Sequence, residues 1–181
     1  MLLLILGIAL WAGFHGFKRI VPEWREALGK YGQAVVSMGI LFGLVLMICG
    51  YRMADFIEIW SPPEFMVHVN NLLMLLAVSL LAMSLTKGRM RSRMRHPMLN
   101  AVKTWAIAHL LVNGDLASIL LFGSMLGWAI WSVININRAE SWSRPEVVDN
   151  GRDWVYLGLL VGLFAVMAGA HLLLGVAPFG V

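Results

Sequence analysis

The residues of this chain best suited to chemistry are its five histidines, because four of them interrupt or border long apolar segments. The four are His15, His68, His109 and His171, and the fifth, His96, lies in a basic stretch. An ionisable side chain in an apolar surrounding is costly unless it is paired or faces a cavity. Several such imidazoles in one small protein predict a ligand set. The alternative is that each ring bonds a neighbouring carbonyl or lies at the level of lipid headgroups.

The residue types around the histidines narrow the chemistry that they could do. The apolar segments hold no Asp or Glu, which disfavours a carboxylate-bridged di-iron site. No His-Glu-x-x-His, Gly-x-Ser-x-Gly or phosphate-binding loop occurs, and the single cysteine, Cys49, excludes a thiolate zinc site and covalent c-type haem. Imidazoles also suit copper and non-haem iron, although carboxylates usually accompany them at iron. Haem b fits better, because it is apolar and needs only one or two axial imidazoles.

The composition describes the surroundings in which those histidines lie. Of 181 residues, 60% are hydrophobic and 13% are charged, well below the roughly 25% charged residues of a soluble domain. These proportions exclude an ordinary soluble domain, a disordered chain and a nucleic-acid-binding protein that works from water. The partner that they predict is the lipid bilayer. Because the first cations follow the apolar stretch from Met1 to Phe17, that stretch is expected to be a retained first span and not a cleaved signal peptide.

The elements that must position the histidines are six continuous apolar segments. They are expected to be helices, because only a helix satisfies its own backbone in lipid without a partner. The segments run over residues 1–17, 32–51, 66–86, 98–113, 116–135 and 154–177. The predicted fold class is all-α, a polytopic membrane protein with a bundle of six transmembrane helices in a single domain over 1–181. The fourth segment is the shortest.

The distribution of cations predicts how this bundle is oriented. With six spans, thirteen of the 14 Lys and Arg residues fall on one side of the membrane, in or beside the connections after the first, third and fifth spans. Arg52 alone falls on the other side. By the positive-inside rule the cation-rich side is cytoplasmic, so both termini are expected to be non-cytoplasmic. Under this topology three histidines lie toward the outer surface (His68, His109 and His171), whereas His15 lies near the inner end of the first span.

Small residues at helical spacing predict how the helices pack. One stripe is formed by Gly39, Gly43 and Gly50 in the second span. Similar stripes follow in the fifth and sixth spans: Gly123 and Gly127, then Gly158, Gly162, Ala165 and Gly169. Such stripes allow close backbone contact between helices in lipid, so a compact bundle is expected, with a homodimer through one stripe as the alternative. Asn113-Gly114-Asp115 predicts a tight turn that makes spans four and five an antiparallel hairpin.

Two of the histidines share a local pattern. Trp11 and His15 are four residues apart in Trp-Ala-x-x-His, and Trp105 and His109 repeat the same arrangement. Each pair is therefore expected to share one face of its helix. The two copies lie in helices predicted to run in opposite directions, which is compatible with an inverted repeat.

The central part of the chain resembles a known family. It consists of Arg95-His96-Pro97-Met98, then the run from Lys103 to Asp115, then Leu121-Phe122-Gly123. With Phe14-His15, Pro62-Pro63 and His171-Leu172 added, the chain resembles the NnrU family over essentially its whole length. That resemblance implies a bacterial-type inner-membrane protein associated with nitrite and nitric oxide reduction in denitrification. The family is in turn similar to zeta-carotene isomerase, a membrane enzyme that uses haem b ligated by two histidines to isomerise a polyene double bond.

The similarity to the isomerase implies which histidines would ligate the haem iron. Its Arg-His-Pro motif and a later histidine match His96 and His109, and its first-span histidine matches His15. His109 and His15 are therefore the metal ligands that the resemblance implies. In the simple topology, however, they lie about 15 Å apart along the membrane normal at ~1.5 Å per residue. Either the fourth span starts deeper, or His109 pairs with His68 or with His171.

The cations provide partners for the propionates of such a haem. At an outer site that cation is Arg52. An inner site would use residues from the opposite side, namely Lys18, Arg19, Arg95 or Lys103. His96 is expected to cap or anchor the start of the fourth span.

Three functions are compatible with these observations. The first is a haem-b membrane protein whose iron senses or performs redox chemistry in nitrogen-oxide metabolism, with a haem-dependent polyene isomerase as its enzymatic form. The second is a small carrier or channel that works as a dimer with the histidines as a proton relay. The third is an accessory without catalysis that helps a respiratory or nitrogen-oxide reductase assemble. The sequence leaves open whether the protein is an enzyme and what its substrate is.

Overall fold

The computed structural model describes residues 1–147 and 152–179, and this part of the chain is mostly helical. Its α-helices are α1 (Leu2–Ile20), α2 (Pro22–Ala27), α3 (Gly32–Arg52), α4 (Met66–Ser84), α5 (Arg89–Ser92), α6 (Pro97–Val112), α7 (Leu116–Ala139) and α8 (Arg152–Leu173). A 3-10 turn, Gly29–Tyr31, precedes α3. The β-type pairing within the described residues is an isolated antiparallel bridge between Glu58 and Asp115.

The six long helices coincide with the six apolar segments of the sequence. Five of these helices, α1, α3, α4, α7 and α8, are long and apolar enough to cross a membrane. The sixth, α6, has 16 residues; at ~1.5 Å per residue it is about 24 Å long, shorter than the ~30 Å hydrocarbon core of a bilayer. The prediction of an all-α membrane protein is therefore confirmed with five candidate spans in the described residues. The six-span count and the non-cytoplasmic position of both termini stay predictions.

The ends of the helices follow local sequence signals. Pro22 occupies the first turn of α2, where its missing N–H is not needed and its fixed φ suits the helix. At the other end of the chain, Gly175 has a φ of +73° and donates its N–H to Leu172 O, while the N–H of Val176 bonds to His171 O at 2.9 Å. This is the glycine-terminated end typical of helices. It explains why α8 ends at Leu173, short of the predicted boundary at residue 177.

Packing divides the chain into two compact units. The first unit contains residues 1–61 and 113–124, and the second contains residues 62–112 and 125–181. The first unit therefore combines α1 and α3 with the start of α7, whereas the second combines α4, α6 and α8 with the rest of α7. The prediction of one domain over 1–181 stays a prediction.

In the first unit, α1 and α3 pack with their backbones in close contact. A Cβ added at Gly43 would lie 2.7 Å from the backbone nitrogen of Trp11, and one added at Gly50 would meet the backbone of Leu4. Real Cβ atoms do not approach other atoms this closely, so only glycine fits at these two positions. Leu4 is fully buried as a result. The close contact predicted from the stripe in the second span is confirmed.

The first unit also contains the segment between α6 and α7. The carbonyl of Gly114 accepts the backbone N–H groups of Ile59 and Trp60 at 2.8 and 3.1 Å. Asp115 caps α7, because its carboxylate accepts the backbone N–H of Ser118 at 2.9 Å and the Ser118 hydroxyl at 2.5 Å. The predicted turn between α6 and α7 is thus confirmed. Backbone hydrogen bonds join it to the segment after α3.

In the second unit, α4 packs against both α6 and α8. The last part of α4 meets the first part of α6 in a core of Leu80, Met83 and Ala101. Along α8, the Tyr156 hydroxyl bonds the Ser79 hydroxyl at 2.6 Å, and Asn71 at the other end of α4 donates to the carbonyl of Phe179 at 2.9 Å. These contacts make α4 antiparallel to both α6 and α8.

The glycine stripes of α7 and α8 differ from that of α3. A Cβ added to any of their glycines would meet no atom within 4 Å in the described part of the chain; the positions are Gly123, Gly127, Gly158, Gly162 and Gly169. The close helix contact expected of these stripes is therefore not made within the described residues. A homodimer through one of them stays a prediction.

Candidate histidine site

Three of the histidines have their imidazole rings held by the same hydrogen bond. In each, Nδ1 lies within bonding distance of the carbonyl oxygen four residues earlier: His15 to Trp11 at 2.9 Å, His109 to Trp105 at 3.0 Å and His171 to Met167 at 2.7 Å. A carbonyl oxygen only accepts, so Nδ1 carries the proton, and in a neutral ring Nε2 then carries the lone pair. An Nδ1–H bond to a carbonyl is the arrangement that orients a metal-ligating histidine.

The sequence produces this bond because residues four apart share a helix face. The prediction that each tryptophan shares a face with its histidine is confirmed. The ring centroids of Trp11 and His15 lie 3.8 Å apart, and those of Trp105 and His109 lie 5.4 Å apart. Each of these two imidazoles thus contacts an indole ring in addition to its hydrogen bond to a carbonyl.

His171 belongs to the same group, although the sequence pattern assigned only His15 and His109 to it. Met167-Ala168-x-x-His171 keeps the alanine and the histidine of the pattern and replaces the tryptophan by methionine. The signal that could have identified it is therefore the Ala-x-x-His spacing. The carbonyl bond needs no particular side chain at the first position, since the acceptor belongs to the backbone.

The second unit brings three histidines to one end. His68 lies near the start of α4, and His109 and His171 lie near the ends of α6 and α8. Because α4 is antiparallel to the other two helices, all three are at the same end of the second unit. His109 and His171 are both half-buried and lie in the same unit. The side chain of His68 is exposed.

The other predicted site residues lie in the first unit. His15 is on α1 and has an exposed side chain, and Arg52 is the exposed last residue of α3. The pairing of His15 with His109 implied by the resemblance, and the pairing of Arg52 with a propionate, stay predictions.

His96 has a different environment from the ligand candidates. It directly precedes α6, and its carbonyl accepts the N–H of Asn100 at 2.9 Å. Its Nε2 bonds the side-chain oxygen of Asn137, near the end of α7, at 2.8 Å. His96 therefore anchors the start of α6, as expected, and its contact with Asn137 agrees with an antiparallel arrangement of α6 and α7.

A buried amide lies on α4, close in sequence to His68. Asn70 is 9% exposed and donates to the side-chain oxygen of Asn71 at 3.2 Å. Its own side-chain oxygen is buried and has no hydrogen-bond partner among the described residues. A buried acceptor without a donor costs about 1–3 kcal/mol. A bound molecule with a hydrogen-bond donor would therefore be stabilised there. The sequence analysis did not single out this residue.

The donor set fits haem b by its chemistry. Among residues 1–147 and 152–179, no three His, Cys, Asp or Glu side chains come together in a way that could hold a metal ion. Haem requires one or two axial imidazoles, since the porphyrin supplies the remaining ligands. His109 and His171, in one unit and each with the lone pair on Nε2, meet that requirement in number and in tautomer.

The long apolar helices define a multi-pass helical membrane protein. A scan against protein-family models gives the family: the model described as NnrU protein matches residues 3–178. The chain belongs to the NnrU family, and the resemblance found in the sequence is confirmed. Neither the curated proteins nor the solved structures contain a match to it.

Proposed function

We propose that this member of the NnrU family is a bacterial-type inner-membrane protein that binds haem b and acts in redox or nitrogen-oxide metabolism. The observation that carries the proposal is the shared bond of three imidazoles to the preceding turn of their helices. It gives each ring the tautomer with a lone pair on Nε2, which is the nitrogen that ligates iron in this geometry.

His109 is the principal axial ligand in this proposal. Three partners are available: His171 and His68, which lie in the same unit, and His15, which the similarity to zeta-carotene isomerase implies. Arg52 is the cation proposed for a propionate. The carbonyls of Trp105 and Met167 hold the two rings of the second unit in orientation. Bound haem would supply an iron that changes oxidation state and can bind nitric oxide or a polyene double bond.

The test is the amount of haem that each variant retains. The full chain is expressed with sufficient haem, purified in mild detergent and assayed for haem b per polypeptide. His109→Ala should retain under about a tenth of the wild-type amount, because one axial bond holds much of the cofactor. His96→Ala is the matched control, since its ring bonds Asn137 at the opposite end of the second unit from His109. Equal retention in the two variants would remove His109 from the ligand set.

The second ligand is identified by three further variants. If His171 completes the site, His171→Ala loses haem or changes the spin state seen in the absorption spectrum, while His15→Ala and His68→Ala do not. The same loss in one of the other two variants alone would assign the partner to His15 or to His68.

A proton-relay carrier is the second candidate function, and the presence of two half-buried imidazoles, His109 and His171, in one unit favours it. Protein reconstituted in vesicles separates the two proposals. Transport that depends on a pH gradient, by protein that contains no haem, would support the carrier. A pigmented protein without transport would exclude it. Copurification of a reductase subunit with a colourless, inactive chain would instead favour an assembly role.

A further inference from the structure

The connection between α4 and α6 consists of residues 85–96 and has the highest net positive charge of the connections in this chain. It is named the basic loop. Five cations lie within it: Lys87, Arg89, Arg91, Arg93 and Arg95. It contains no Asp or Glu. Its charge is therefore not balanced from within the segment.

The basic loop is folded onto the helices. The Thr86 hydroxyl donates to Met83 O at 3.0 Å, the Ser92 hydroxyl to Arg89 O at 2.8 Å, and the Arg91 guanidinium to Met94 O at 2.7 Å. Thr86 and Ser92 are both buried. These small polar residues turn inward, whereas the cationic side chains of Lys87, Arg89 and Arg93 are exposed.

Contacts to α7 fix the position of the basic loop. Arg95 donates to the carbonyl of Glu140 at 2.6 Å and to that of Ile136 at 3.4 Å. His96 bonds Asn137. The loop is thus held where α4 ends, α6 begins and α7 ends, all within the second unit. This is the opposite end of the second unit from His109 and His171.

The outer surface of the basic loop combines charge with apolar side chains. Lys87, Arg89 and Arg93 are exposed. Within the same segment, the apolar side chains of Leu85 and Met90 are 54% and 37% exposed. Cations beside exposed apolar groups, three residues after a candidate membrane span ends at Ser84, match the boundary between lipid headgroups and acyl chains.

We propose that the basic loop is a binding surface for anionic phospholipid headgroups. Lys87 and Arg93 interact with the phosphodiester, and the neighbouring apolar side chains lie against the start of the acyl chains. A cluster of this kind directly beside a transmembrane helix attracts anionic lipid. The positive-inside rule accounts for the sign of the charge but does not require a folded surface, so it predicts no difference between this loop and the cations before α3.

The test compares two matched double variants of the full chain in mild nonionic detergent. One is Lys87→Gln with Arg93→Gln in the basic loop. The other is Lys18→Gln with Lys30→Gln, which removes two exposed cations, one in the last turn of α1 and one in the 3-10 turn before α3. Each protein is titrated with phosphatidylglycerol or with phosphatidylcholine of the same acyl chains, and the bound lipids are counted by native mass spectrometry.

Wild type and the Lys18/Lys30 variant should bind phosphatidylglycerol in preference to phosphatidylcholine. The Lys87/Arg93 variant should bind phosphatidylglycerol about tenfold more weakly, since each cation near the surface adds substantially to anionic-lipid binding. Equal losses in the two variants, or unchanged binding in both, would overturn the proposal. So would displacement of the lipid by inorganic phosphate at equal concentration.

A charge-preserving variant is the control for misfolding. Lys87→Arg with Arg93→Lys keeps both charges and should bind phosphatidylglycerol like the wild type. If it loses binding as the glutamine variant does while its circular dichroism is unchanged, charge is not the determinant and the proposal is wrong.

Discussion

The two units of this protein hold their helices together in different ways. In the first unit, α1 and α3 meet through glycines, so that the backbone of one helix lies against the backbone of the other. In the second unit, α4 meets its neighbours through side chains: the core of Leu80, Met83 and Ala101 and the hydroxyl pair of Ser79 and Tyr156. The glycines of α8 make no such close contact within the described residues. The same small-residue spacing therefore produces close packing only where a partner surface of matching shape faces it.

The histidines of the two units also differ in their surroundings. His15 and His109 have the same carbonyl bond and the same tryptophan neighbour. His15, however, belongs to the glycine-packed pair of helices, whereas His109 lies in the unit that also contains His171. A local motif thus sets the tautomer of a ring, and the surrounding helices decide which other groups it meets.

The largest effect on stability is expected from Gly43→Leu. The new side chain would have to occupy the position of the Trp11 backbone, which cannot move without separating α1 from α3. We expect a loss of about 3 kcal/mol or more in the free energy of unfolding, measured by titrating detergent-solubilised protein with a denaturing detergent.

Gly162→Leu is the matched control for that change. It adds the same side chain to a helix glycine of α8 that has no atom within 4 Å of an added Cβ among the described residues. Its free energy of unfolding should stay within about 0.5 kcal/mol of wild type. If both substitutions cost the same, the contrast between the two stripes is wrong. A large cost at Gly162 alone, together with loss of a dimer, would show that α8 packs against a second copy.

A smaller loss is expected from Asp115→Ala in the first unit. The change removes the cap of α7 and the acceptor of the Ser118 hydroxyl, which is itself bonded to Tyr51 at 2.8 Å. Loss of a cap together with loss of the carboxylate that accepts from a buried hydroxyl should cost about 2 kcal/mol. Asp55→Ala, at an exposed position three residues after α3, should cost under about 0.5 kcal/mol in the same titration. Similar values for both would mean that the Tyr51–Ser118–Asp115 chain does not stabilise the fold.

The smallest effect is expected in the second unit, from Tyr156→Phe. The change removes one hydroxyl bond to Ser79 and keeps the ring that packs on Leu80 and Met83. A single neutral hydrogen bond contributes about 1 kcal/mol. Tyr31→Phe, at an exposed ring, should leave the free energy of unfolding unchanged. A loss at Tyr156 as large as that of Asp115→Ala would show that polar bonds stabilise both units equally.

The helices and the Trp–His pairs could be predicted from the sequence because both depend on local spacing. Continuous apolar runs gave the six long helices, and residues four apart gave the shared faces of Trp11 with His15 and of Trp105 with His109. The fourth run, already the shortest in the sequence, forms a helix of 16 residues, which is shorter than a typical span.

Features that depend on distant residues could not be predicted in the same way. Spacing alone does not say which glycine stripe meets another helix, since that depends on the surface facing it. The division into two units within α7 and the buried oxygen of Asn70 arise from tertiary packing. The bond from His171 to the carbonyl four residues earlier could have been predicted from the Ala-x-x-His spacing. The sequence pattern, however, required a tryptophan, which a bond to a backbone carbonyl does not need.

The most direct test of the proposed haem site is the absorption spectrum of the full wild-type chain, purified after expression with sufficient haem and recorded before and after reduction with dithionite. The account predicts a Soret band that shifts on reduction, in protein that carries haem b in a fixed ratio to polypeptide. A colourless protein that takes up no added haem would contradict it.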